Sequence, residues 1–186
     1  DVASLLREGG DESQTINGTV RLRDGKNNIP SVIEWSDEFL FLIGIYLAEG
    51  CVTYASKRPN SVAMAYSLGG HERDLQEKIM RCLTRVFGVE SRPQDQRTGI
   101  QVWCGVGVVA KVFEYLCGAS SSEKKLHRYL LGLPNDKFLK VVTAYLIGDG
   151  NPGAENHPNS SMSASTVSAS LGWGLWTRLL GCKVAA

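Results

Sequence analysis

The chain repeats itself. LIGIYLAEG at residues 42–50 returns as VTAYLIGDG at residues 142–150, so that Gly44 aligns with Ala144, Ala48 with Gly148, Glu49 with Asp149 and Gly50 with Gly150. The lead-in segments agree as well. SDEFLFLIG and NDKFLKVVTA each open with a helix N-cap residue, Ser36 or Asn135, ahead of an acid. Each copy reads as an apolar helix ended by its glycine, a residue suited to the left-handed conformation past a helix end. Neither helix has a clean polar face, which predicts burial of both. Small residues lie four apart in each, Gly44 with Ala48 and Ala144 with Gly148. Two such flat stripes let helix backbones approach to roughly 8 Å or less, the tight end of ordinary helix packing.

That packing brings the two helix C-termini together, and with them the carboxylates of Glu49 and Asp149. Unpaired carbonyls and the negative end of the helix dipole already disfavour an acid there. Two such ends repel, and a divalent cation relieves the repulsion. Hard oxygen ligands of this kind suit magnesium, with water completing the shell. Core helices with ordinary acidic ends leave the same trace when there is one copy. Two copies, each with an acid followed by glycine, favour the metal reading.

Composition bounds the rest. With 186 residues, 43% of them apolar, the chain has enough for one large domain or two small ones sharing a core. The longest apolar run, residues 39–48, is too short for the roughly 18 residues of a membrane span. No signal peptide is expected, because Arg7, Glu8 and Asp11 fall where an apolar stretch is needed. Cys51, Cys82, Cys104, Cys117 and Cys182 form no CxxC pair, and His71, His127 and His157 show no ligand spacing. That pattern reads as reduced thiols in an intracellular, cytoplasmic protein with neither a disulfide framework nor a zinc site. A net charge of +1 gives no general support for a nucleic-acid partner.

The two segments resemble the paired motifs of LAGLIDADG (dodecapeptide, DOD-type) homing endonucleases. LIGIYLAEG, with Glu in place of Asp, is similar to the first motif of intein-embedded members. The resemblance implies an α+β fold in which an αββαββα unit is used twice about a pseudo-two-fold axis, with paired central helices and antiparallel DNA-binding sheets. The intervening sequence reads in that order. CVTYAS (51–56) and SVAMAYSL (61–68) are β-prone runs around a polar turn at Arg58-Pro59-Asn60. Residues 71–87 are helical and end at Gly88, 89–95 and 99–106 form a second hairpin, and Val109, Val112, Phe113 and Leu116 mark a third helix closed by Gly118. The segment before the second motif, Lys124-Lys125-Leu126-His127, is similar to the basic-x-Ile-Pro entry of intein endonucleases, with His127 where proline is usual.

The resemblance also implies a chemistry. A divalent metal, magnesium by preference, is held by Glu49 and Asp149 with the backbone carbonyls of Ala48 and Gly148, and both strands of double-stranded DNA are hydrolysed. The family's active-site lysine falls on Lys124, with Lys125 close behind, and would stabilise the phosphorane-like charge or polarise water. A solvated basic stretch on a surface helix is the plainer account of the same residues. DNA recognition is expected from strand faces set in the major groove. Tyr54, Lys57, Arg58, Arg92, Arg97, Gln101 and Trp103 are candidates by type and alternation, with Lys57 and Arg58 suited to phosphates.

The expected division is a linker or intein-derived lead-in (1–35), a first unit with its connection (36–134) and an apparently truncated second unit (135–186). The last holds a β-prone run at 160–166 and a leucine-bearing helix with Leu171, Leu175, Leu179 and Leu180. Residues 1–28 are polar and Gly-rich and resemble no catalytic element. Self-splicing is not expected, since no Cys or Ser opens the chain and no His-Asn pair closes it. The expected partner is double-stranded DNA, with no membrane, and the expected state is a monomer with internal pseudo-symmetry. Beside the endonuclease stand an inactive intein remnant and a non-cleaving, maturase-like nucleic-acid-binding domain.

Overall fold

In the computed structural model the described residues are 1–55, 58–97, 99–149, 172, 174 and 175, with backbone alone at 58–60 and 149. Helix α2 (Asp37–Glu49) starts where the sequence predicts, with Ser36 Oγ accepting the Phe39 amide at 3.3 Å. It leads into β4 (Gly50–Ala55), β5 (Arg58–Leu68), α3 (Arg73–Phe87), β6 (Arg92–Gln96), β7 (Gly99–Cys104) and α4 (Gly107–Cys117). This is one αββαββα unit. Its four strands form an antiparallel sheet in the order β4-β5-β7-β6. The fold class is α+β, as expected.

Side chains alternate across a strand, so one face of this sheet packs on the helices and the other stays open. Val62, Met64, Tyr66 and Leu68 of β5, with Val102 and Cys104 of β7, form the helix-side face and are buried. Phe113 of α4 is the hub above them, with ring centroids 5.0 Å from Tyr46, 5.9 Å from Phe87, 6.1 Å from Phe39 and 6.4 Å from Tyr66. These aromatic pairs tie α2, α3, α4 and the sheet into a single core. Helix α3 stops at Gly88, whose φ of +67° is the left-handed conformation that glycine adopts without strain.

Two local expectations need correction, at Gly50 and at the first hairpin turn. Gly50 is extended (φ −85°, ψ 154°), not left-handed. Glycine is required there because a β-carbon would sit 2.2 Å from Cδ2 of the Tyr46 ring. Strand β5 begins at Arg58, so the hairpin reverses before Arg58-Pro59-Asn60 and not at it. Residues 1–28, read as polar and Gly-rich within a linker or intein-derived lead-in, carry regular structure: α1 (Val2–Glu8) precedes β1 (Ser13–Ile16), β2 (Thr19–Leu22) and β3 (Ile29–Pro30), a second antiparallel sheet. Val2, Leu6, Val20 and Ile29 are buried in the common core. A few well-placed apolar residues suffice to attach this segment despite its polar composition.

A short helix, α5 (Arg128–Leu131), leads to α6 (Asn135–Asp149). The α6 helix lies against α2 but is not buried all round. Phe138, Val141, Ala144 and Tyr145 face the core, whereas Leu139, Leu146 and Ile147 are 43–50% exposed. The sheet, α3 and α4 all pack against α2. Among the described residues α6 has no comparable cover on its far side. The β-prone run at 160–166 and most of the leucine-bearing helix lie outside the described residues. Gly174 and Leu175 are helical; Gly174 approaches Phe138, and Leu175 packs on the core.

Candidate active site at the ends of the paired helices

The small-residue stripes of α2 and α6 meet face to face. A β-carbon on Gly44 would lie 2.4 Å from the Ala144 Cβ and 2.4 Å from the Val141 carbonyl oxygen. One turn further on, a β-carbon on Gly148 would lie 2.6 Å from the Ala48 Cβ and 3.6 Å from Glu49 Cγ. The C-terminal ends of the two helices are therefore side by side, which brings the backbone of 148–149 against Ala48 and Glu49. The Asp149 side chain and Gly150 lie outside the described residues. Among the described residues no three His, Cys, Asp or Glu side chains cluster as a metal site. By sequence each helix ends in an acid, Glu49 or Asp149, so the donors such a pair offers are carboxylate and carbonyl oxygens. That suits magnesium, which is held by one or two carboxylates and keeps several waters.

Lys124 enters this place from the connection after α4. It is buried, 7% exposed, and its Nζ donates to the Ala48 carbonyl at 2.9 Å. The carbonyl proposed from the resemblance as a metal ligand thus has one of its two lone pairs engaged by Lys124. The Tyr46 ring centroid is 6.0 Å from the amine. Burial pushes the thiols of Cys51 and Cys117 up in pKa, and the nearby Lys124 charge partly offsets this in both. Lys125, the neighbouring candidate, is exposed.

Several bonds hold the Lys124 loop. Tyr46 Oη donates to the Gly118 carbonyl at 2.8 Å, and desolvation pushes its pKa well up, so the hydroxyl stays protonated. Gly118 has φ +85°, and a β-carbon there would meet the Glu123 carbonyl oxygen at 2.2 Å. The Val52 amide donates to Ala119 O at 2.8 Å, and the Lys125 amide to Cys117 O at 2.9 Å.

The DNA-contact candidates divide. Arg92 pairs across the sheet with Trp103, and Trp103 with Ala65, all on the open face. Gln101 lies on the same face, with its Nε2 donating to Ser67 Oγ at 3.2 Å and its Oε1 accepting from Gln96 at 3.3 Å. Arg97 is exposed in the turn after β6. The structure does not bring Tyr54 to this face. It points to the helix side, where its hydroxyl lies 2.5 Å from both Glu114 oxygens and accepts from Lys111 Nζ at 3.1 Å. Lys57 and the Arg58 side chain lie outside the described residues. Gln94 and Gln96, absent from the sequence candidates, share the open face with Arg92, and period two along β6 marks them.

Comparison with known proteins agrees with this geometry. Residues 36–127, spanning α2 to the segment just past Lys124, match the LAGLIDADG-like domain family model. The chain carries a LAGLIDADG-like domain. It is also 25% identical over 137 residues to a DNA polymerase of Thermococcus kodakarensis, and 23% identical over 154 residues to a DNA polymerase of Thermococcus sp. (strain GE8). A DNA-directed RNA polymerase subunit, Rpo1C, of Methanocaldococcus jannaschii is 26% identical over 143 residues. These matches cover 74%, 83% and 75% of this chain but only 8%, 8% and 16% of the respective relatives. The LAGLIDADG-like match includes Glu49 and Lys124. The α1–β3 segment and the whole of α5 and α6 lie outside it. No helix among the described residues is long and apolar enough to cross a membrane.

Proposed function

We propose that the chain is a site-specific double-stranded DNA endonuclease of the intein-embedded LAGLIDADG type, using a divalent metal at the paired ends of α2 and α6. The observation that carries this reading is the buried Lys124 amine bonded to Ala48 O beside Glu49. A cation at a helix C-terminus gains about 0.3–2 kcal/mol. Burying an ammonium costs several kcal/mol. An ammonium held at that cost at the meeting point of two helix ends fits a site built to handle developing negative charge.

In this reading Glu49 and Asp149, with the carbonyls of Ala48 and Gly148, hold magnesium. When bound, it neutralises phosphate charge and lowers the pKa of a bound water. Lys124 donates to the charge that builds on the phosphoryl oxygens, or orders the attacking water. The open face of the β4–β7 sheet sits in the major groove, with Arg92, Gln94, Gln101 and Trp103 reading base edges. Lys57, Arg58 and Arg97 meet phosphates. Residues 36–134 form the first unit and 135–186 the second, acting as an intracellular monomer with internal pseudo-symmetry. A stretch similar to small parts of both a DNA polymerase and an RNA polymerase subunit fits a self-contained unit carried within larger proteins.

A net charge of +1 favours a second reading, an inactive remnant, since phosphate contacts dominate DNA affinity. The test is conversion of a supercoiled plasmid pool bearing randomised inserts, with magnesium or with a chelator. Magnesium-dependent nicking that Glu49→Gln abolishes supports the endonuclease. A pool left supercoiled, or nicked equally by the variant, refutes it.

A further inference from the structure

Helix α1 lies outside the LAGLIDADG-like match, yet its last residue is built into the surroundings of Lys124. One Glu8 carboxylate oxygen accepts from Tyr115 Oη at 2.7 Å and from Arg128 Nη2 at 3.1 Å, and the other accepts from Tyr129 Oη at 2.9 Å. Tyr115 is near the end of α4, and Arg128 and Tyr129 open α5, so Glu8 joins the two ends of the connection that contains Lys124. Between these ends the His127 ring lies 4.7 Å from both the Tyr115 and Tyr129 rings. The His127 amide donates to Leu116 O at 3.1 Å, closing the connection back on α4. An exposed ion pair contributes little by itself. Three donors converging on one carboxylate form a network that fixes geometry. Val2 and Leu6 are buried beneath, so α1 cannot drift with the loop.

We propose that Glu8 is a positioning residue for Lys124, holding together the two ends of the connection that delivers its amine to the end of α2. The N-terminal segment then serves the site it abuts. Its catalytic consequence rests on the endonuclease reading, but the positioning itself does not. The experiment therefore reads Lys124 directly. The full chain is labelled with an amine-reactive ester, and the modification rate of each lysine is followed by mass spectrometry, with exposed Lys26 as internal reference. In the wild type Lys124 labels far more slowly than Lys26. Glu8→Ala is expected to raise Lys124 labelling several-fold, with Glu8→Asp restoring part of the protection. Ile79→Val, which trims the core under α3, is expected to lower the melting temperature without raising Lys124 labelling. If Glu8→Ala does not fold, Tyr129→Phe, which removes a single hydroxyl, is the substitute. Unchanged Lys124 labelling in the folded variants, or an equal rise in Ile79→Val, overturns the proposal. Plasmid nicking by the same variants addresses the endonuclease separately. A wild type that protects Lys124 through Glu8 but never cuts keeps the positioning and loses the function.

Discussion

Gly148 of α6 lies so close to Ala48 of α2 that a β-carbon on it would stand 2.6 Å from the Ala48 Cβ. The helices that carry Glu49 and Asp149 touch backbone to backbone, and this contact sets the geometry of everything at their ends.

Adding one methyl group to that contact should therefore be felt. In an open helix Gly→Ala gains about 1 kcal/mol. At Gly44 the new β-carbon would meet the Val141 carbonyl oxygen at 2.4 Å, and backbone cannot rotate aside. Overpacking of this kind costs about 1–3 kcal/mol or more, so the net sign is destabilising. The urea midpoint of Gly44→Ala should fall below that of the wild type; an equal or higher midpoint contradicts the close packing.

Lys124 and Lys125 are adjacent but differently placed, one bonded to Ala48 O and the other exposed. Lys124→Met keeps the aliphatic stem and removes the donor. Loss of a preorganised donor typically lowers turnover by about 10²–10³-fold. That loss is expected for Lys124→Met, with the circular dichroism spectrum intact. Lys125→Met should nick DNA at nearly the wild-type rate, and the reverse order would reassign the lysine.

Stability should fall as pH drops in two steps of the same sign. Burial, followed by the Arg128 charge, depresses His127 below its ordinary 6.5. The unfolded chain therefore takes up the proton first, and stability falls as pH drops through about 6.5, levelling below the folded value. The bonds from Tyr115 and then Tyr129 lower Glu8 below its ordinary 4.5, so its contribution is present above 4.5 and is lost as pH falls through the folded value. Melting temperatures from pH 8 to pH 3 check both steps. His127→Gln should flatten the upper one and Glu8→Gln the lower, while unaltered profiles remove these groups from the account.

The two faces of the sheet should separate in binding. In a Glu49→Gln background, Arg92→Ala and Gln101→Ala should each weaken selected DNA by about 1–3 kcal/mol if they read bases. Tyr54→Phe removes a hydroxyl directed at Glu114 and Lys111 and should leave affinity unchanged while lowering stability. Fluorescence anisotropy with labelled duplex distinguishes them, and a loss of affinity confined to Tyr54→Phe contradicts the assignment of faces.

The paired helices were legible because Gly44, Ala48, Ala144 and Gly148 carry the packing in the sequence itself, and Ser36 marks where α2 starts. The N-terminal sheet was missed although a signal was present. Asn17-Gly18, with φ of 48° and 75°, is a two-residue hairpin turn, a strong short-range marker obscured by polar flanks. Tyr54 was assigned by residue type and alternation, whereas its side of the sheet depends on register with Val62, which alternation alone does not fix. Glu8 lies more than a hundred residues from Tyr129, and no local pattern links an acid at a helix end to two tyrosines that far away. The exposed side of α6 was not legible either, because an apolar helix looks the same in sequence whether one flank or all of them are covered.

The most direct measurement sequences the ends produced when the chain and magnesium act on randomised double-stranded DNA. The wild type is compared with Glu49→Gln, Asp149→Asn and Lys124→Met. Discrete cut positions on both strands, lost in each variant while the fold persists, are the predicted result. No cutting by the wild type, together with a higher melting temperature in Glu49→Gln and Asp149→Asn from relieved carboxylate repulsion, would contradict the account and leave the paired helices as framework alone.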